Sequence, residues 1–146
     1  MVTRRRTGPG YLIGTVEKVT GVDKMTLNFW ARTNFVPPSI QDSAGKGTFR
    51  RWSFEDIVAI RTAKHLRDQG LSLQKLRRVA DFLGDITSMR QPLASAWLIV
   101  QGEDVFLTDG QGVVSLLEQP GQMAVPAVVL NLESVRGDVE RRLKAA

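Results

Sequence analysis

Apolar residues recur at helical spacing through residues 13–30, IGTVEKVTGVDKMTLNFW. Ile13, Val16 and Val19 or Thr20 predict a short helix with one buried stripe. Gly21 stands where a helix ends in a left-handed backbone. Asp23 is placed to cap a second helix, because its carboxylate can accept from the orphan amides of that first turn. Leu27, Trp30 and Ala31 then form the inward face, with Lys24, Thr26, Asn28 and Arg32 pointing outward. Helix, glycine turn and helix with a polar, cationic outer face is the pattern of a helix-turn-helix. An ordinary helical hairpin is the alternative reading of the same stretch.

Two prolines end the second helix, and residues 41–47 are rich in turn formers. Val36 and Ile40 precede this loop; Phe49 and Trp52 follow it. That spacing predicts a small β-hairpin, or wing, with Lys46 at its tip and Arg50 and Arg51 on its returning strand. Strand neighbours face opposite ways, so one arginine is expected toward solvent or DNA and the other along the domain. Ser53 opens a third helix, with Asp56 at capping-box spacing. Its buried stripe is Ile57, Ile60, Ala63 and Leu66, and Gly70 ends it. His65, off that stripe, reads as a solvated side chain. Ser72 caps a fourth helix with Leu73, Leu76, Val79, Ala80 and Leu83 inward and Gly84 closing it. Arg61, Lys64, Arg67, Arg77 and Arg78 decorate these two helices, mostly as a solvated face.

After Pro92 the pattern changes to short apolar runs. ASAWLIVQGEDVFLT reads as a hairpin turning at Gly102 and Glu103. A second turn at residues 109–112 leads to a run over 113–117. A further run over 123–132 contains Pro126, which suggests an edge or a late strand start. Leu132, Val135, Val139 and Leu143 predict a terminal helix, weakened by Gly137. The fold class expected is therefore α+β: a mainly helical front part, then a small β-hairpin and strand unit with a terminal helix. The organisation expected is a flexible basic arm (1–10), a DNA-binding domain (11–84), a linker (85–92) and a small dimerisation, effector or partner-binding domain (93–146). A back unit of this size is marginal for a core of its own. It is expected to pack on the front domain, on a twin or on another protein.

Composition narrows the chemistry. The 146 residues contain no cysteine and one histidine, which removes disulfides, thiolate chemistry and clustered imidazole metal sites. No arrangement of acid, base and nucleophile is visible, so neither enzyme activity nor a cofactor or metal is expected. MVTRRR has no apolar stretch behind it and does not read as a signal peptide, and no apolar run is long enough to span a membrane. A cytoplasmic location follows as the expectation. Charge is uneven: residues 1–84 hold 15 Lys+Arg against 7 Asp+Glu, while residues 85–146 hold 5 against 8. Only the front is expected to meet a polyanion.

The stretches YLIGTVEKVTGVDKMTLNFWART, FRRWSFEDI and HLRDQGLSLQKLRRV, in that order and spacing, resemble the MerR family of bacterial transcription regulators. The resemblance covers about residues 11–83. Tyr11 matches the aromatic residue before the family's first helix. Thr26, Leu27, Asn28, Phe29 and Trp30 match its Thr-Leu-Arg-Tyr-Trp run, and Phe49, Arg50, Arg51, Trp52 and Ser53 its Tyr-Arg-Arg-Tyr-Ser wing. The resemblance implies that the second helix enters the major groove of double-stranded DNA while the wing grips the flanking backbone. Asn28 departs from the family's arginine, and Phe29 and Phe49 lack the usual tyrosine hydroxyls. Family members continue into a long helix that pairs with a twin, whereas here Pro92 follows Gly84 by eight residues.

The function expected is a sequence-specific, homodimeric DNA-binding regulator. Lys24, Thr26 and Asn28 are the candidate groove contacts, and Phe29 is a candidate for stacking against sugar or for simple packing. Arg32, Lys46, Phe49, Arg50 and Arg51 are the candidate backbone contacts. The alternative is a DNA-binding antitoxin or excisionase-like factor whose residues 93–146 bind a partner protein.

Overall fold

A computed structural model describes residues 8–45, 47–87, 97–101, 104–108, 113–115 and 127–146. Four helices make up the front: α1 (Ile13–Thr20), α2 (Lys24–Arg32), α3 (Phe54–Asp68) and α4 (Leu73–Thr87). Behind them come β1 (Trp97–Gln101), β2 (Asp104–Thr108), β3 (Val113–Ser115), β4 (Ala127–Asn131) and α5 (Leu132–Ala145). The strands form one sheet in the order β3-β2-β1-β4, with every neighbouring pair antiparallel. Gln101 pairs with Asp104, which leaves a two-residue connection between β1 and β2.

Local chemistry explains the helix ends. Gly21 closes α1 at φ 78°, and its amide donates to the Glu17 carbonyl at 2.9 Å. That backbone region is open to glycine and strained for a side chain. The Asp23 carboxylate accepts from the Thr26 amide at 2.7 Å, so α2 starts where the sequence signal put it. Glu17 adds a second acceptor for this helix start, taking the Lys24 amide at 3.2 Å. Ser53 and Asp56 form a full capping box at the start of α3. Asp56 is completely buried, and its Oδ2 also accepts from the Ser39 amide and hydroxyl, both at 2.8 Å. One carboxylate thus caps α3 and pins the chain that leads into the 41–51 loop.

The core joins α1 (Val16, Val19), α2 (Leu27, Trp30, Ala31), Trp52 and the α3 face around Ile57, Ile60 and Leu66. Trp30 meets Phe35 edge-on, with ring centroids 5.0 Å apart. Leu132, Val135 and Val139 of α5 belong to this same core. Arg136 of α5 pairs with Glu55 at 3.1 Å and stands over the Phe54 ring. Asp138 of α5 receives Arg142 at 3.0 Å and Arg61 of α3 at 3.5 Å. Of the unit expected to pack on the front domain, on a twin or on another protein, α5 joins the front core.

Two elements differ from the sequence reading. α4 does not stop at Gly84 but runs on to Thr87. A helical glycine costs only about 1 kcal/mol relative to alanine, so a strong amphipathic pattern carries through it. The wing is also shorter than a hairpin ladder. Its pairing reduces to one bridge between Gln41 and Arg51, reinforced by the Gln41 side-chain amide donating to the Phe49 carbonyl at 2.8 Å. The residues between are held by turn chemistry, with the Thr48 hydroxyl accepting from the Ala44 amide and donating to the Gly45 carbonyl. Residues 1–7, Lys46 and the expected linker and loops over 88–96, 109–112 and 116–126 lie outside the described residues.

Candidate nucleic-acid interface

The burial of Leu27, Trp30 and Ala31 turns the opposite side of α2 outward. Lys24 and Arg32 are exposed on it, and Thr26 and Asn28 are half-buried. Met25 and Phe29, one helical turn apart, are exposed on the same side. Phe29 was among the sequence candidates; Met25 was not. Its spacing to Phe29 and Arg32 was the available signal.

The 41–51 loop comes directly alongside. Arg50 Nη1 donates to the Asn28 side-chain oxygen at 2.8 Å, and Arg50 Nε donates to Asp42 at 2.9 Å. These bonds bring Asn28 and Arg50, two sequence candidates, into one polar bridge between helix and loop. An open groove of about 840 Å³ lies along this bridge. Its walls include Thr15 and Lys18 of α1, Asn28 of α2, and Thr48, Phe49 and Arg50 of the loop. Phe49 is exposed at the loop's edge.

Arg51 takes the inward role of the two arginines. It retains 6% exposure, and its guanidinium lies against Gly8, where a Cβ would come within 2.8 Å of Arg51 Cζ. The bridge to Gln41 uses its backbone on both sides, with the Arg51 amide donating at 2.7 Å. Phosphate contact by Arg51, as expected from sequence, would require the chain at residues 8–10 to move. Trp52 beside it is fully buried and pairs with Tyr11 through two 2.9 Å backbone bonds. Gly10 fits this bridge at φ 81°, where a Cβ would stand 2.9 Å from the Trp52 carbonyl oxygen.

Arg61 on α3 and Arg77 on α4 serve the fold, whereas Arg67 and Arg78 are exposed. Arg61 donates to the Thr20 carbonyl at the end of α1, at 2.9 Å. Arg77 donates to the Thr33 carbonyl at 3.0 Å and to its hydroxyl, and covers the Phe35 ring. Lys64 pairs with Asp68 within its own helix. Among the described residues, no group of histidine and acidic side chains could hold a metal ion, and no helix is long and apolar enough to cross a membrane.

Residues 11–83 match the family described as MerR HTH family regulatory protein. This chain belongs to the MerR family. HTH-type transcriptional regulators of Mycobacterium bovis and Mycobacterium tuberculosis are 36% identical to it over 134 residues. That similarity takes in 88% of this MerR chain, so it continues past residue 83, and the chain spans 58% of the length of those relatives. In MerR terms the matched region holds α1, α2, the loop with Arg50, α3 and most of α4. α5 completes its core from outside that region.

Proposed function

We propose that this protein is a DNA-binding transcription regulator of the MerR type that lays the outer face of α2 in the major groove. The observation that carries this reading is the Asn28–Arg50 bond, which joins the cationic face of α2 and the loop into one continuous surface. Lys24 and Arg32 flank that surface and supply salt-dependent attraction to phosphates. Thr26, Asn28 and Phe29 face the bases, and Phe49 and Arg50 meet the backbone beside the groove, with Lys46 a further phosphate contact on sequence grounds alone. Arg50 reaches phosphate by exchanging its bond to the exposed Asp42 for one to a phosphate oxygen, an exchange of one anion for another. Arg51 supports the loop from below.

Support for DNA as partner comes from the charge balance of residues 1–84 and from the names of the mycobacterial relatives. Residues 93–146 are read as an α+β unit that pairs two copies, so that two α2 helices meet two half-sites; the alternative is that residues 93–146 bind a partner protein. Selection of bound duplexes from a random DNA pool tests both parts. Enrichment of a two-fold symmetric motif is the expected result. Enrichment of single, unpaired half-sites would remove the dimer, and absence of any enriched motif would remove sequence-specific reading.

A further inference from the structure

We infer that Met25 and Phe29 form an apolar reading row that seats the 5-methyl group of thymine, so that α2 selects T·A pairs by burial of a methyl group. This rests on the DNA-binding reading above and goes further in naming the chemical group that is read.

Met25 is 81% exposed and Phe29 42%, although the same helix buries Leu27, Trp30 and Ala31. Residues four apart lie one above the other on a helix, so the two side chains make a single strip. Scattered apolar residues on a surface are ordinary. These two are adjacent, and the cations Lys24 and Arg32 border them on the same helix. An apolar protein groove would have to strip water from both cations. A nucleic acid offers phosphates to the cations and an apolar target to the strip at once. Among the bases, only thymine presents a methyl group in the major groove, and phenylalanine is a known type of partner for it. Methionine is unbranched and polarizable, which lets it fit the irregular edge of a base step.

The state of Asn28 bears on this reading. Reading adenine through an amide uses both ends of the side chain, with the oxygen accepting from the base. In this structure that oxygen already accepts from Arg50. That bond fixes the orientation of the Asn28 side chain and leaves one lone pair of its oxygen for a base, so the apolar neighbours add a second, independent source of discrimination on α2.

The test uses the full chain and the duplex enriched from a random pool, with deoxyuridine replacing each thymine in turn. Loss of a contacted methyl should weaken binding about fourfold at one or two positions per half-site, on the scale of one buried carbon. Met25→Gln and Phe29→Ala should bind thymine and uracil duplexes equally at those positions, while Met25→Leu keeps the preference. Both residues are exposed, so circular dichroism should show the helical content of these variants unchanged. If the enriched duplex binds tightly and no thymine can be told from uracil, the methyl reading is overturned and DNA binding stands. If discrimination survives both Met25→Gln and Phe29→Ala, the row is overturned as its source. If no duplex of any sequence binds, both readings fall together.

Discussion

Two sets among the cations of the front part differ in what surrounds them. Arg61 and Arg77 reach backward to the carbonyls of Thr20 and Thr33 and hold the ends of α1 and α2 against the longer helices. Lys24 and Arg32 stand exposed along α2, with Arg50 at the border between the groups, bonded to one amide and one carboxylate. The contrast shows that a basic composition is a poor guide to where a polyanion binds. A guanidinium facing a helix C-terminus is occupied by carbonyl oxygens, and only those turned away from such ends remain to meet phosphate.

The largest expected effect tests whether the two groups can be disturbed separately. Asp56→Ala would strand the Ser39 amide and hydroxyl and the Ser53 amide, costing about 3 kcal/mol. Urea unfolding should show a lower midpoint, and DNA affinity should fall with it because the loop loses its anchor. Normal affinity in the folded variant would show that the loop is positioned independently.

The next effect belongs to the outward group alone. Lys24→Ala with Arg32→Ala should lower DNA affinity about tenfold and make the log–log salt dependence shallower by about 2. The urea midpoint should stay within about 0.5 kcal/mol of the parent. A matching loss of stability would erase the distinction between the groups. Arg77→Met removes both the bonds to Thr33 and the guanidinium over Phe35, so about 1 kcal/mol of stability should go without any change in salt slope. A shallower slope would place Arg77 on the phosphate-binding side.

The smallest effect concerns pH. Burial lowers the pKa of His65 below its usual 6.5, and the Arg61 charge adds to this, against opposing pulls from Asp138 and Asp68. The unfolded chain therefore binds the proton more readily than the folded one. Stability is complete above pH 6.5 and declines as pH falls from there toward the lowered value. Thermal unfolding at pH 7 and pH 5.5 should show a small drop that His65→Gln reduces. An undiminished drop would assign the dependence to other groups.

Much of the front was legible because its signals are local. Gly21, Asp23, and Ser53 with Asp56 act within one helical turn, and the buried stripes of α1 to α3 follow from spacing alone. The pattern could say that one of Arg50 and Arg51 turns inward, but not which. That choice depends on Gly8 and Gln41, both distant along the chain. The Arg50 contact to Asn28 spans 22 positions and that of Arg61 to Asp138 spans 77, and periodicity holds no information on such meetings. The loop differs in the other direction: apolar residues on both sides of it suggested a hairpin, while Gly45, Gly47 and Thr48 favour turns over continuous pairing. Lys46 lies outside the described residues, so its place in the site comes from sequence alone.

The seating of Leu132, Val135 and Val139 among residues from α1 and α3 has a bearing on biosynthesis. During translation the first hundred residues emerge with their apolar surface still wet on the side that α5 will cover. Closure waits until α5 has left the ribosome. A nascent chain paused in the sheet region is thereby exposed to chaperones and proteases.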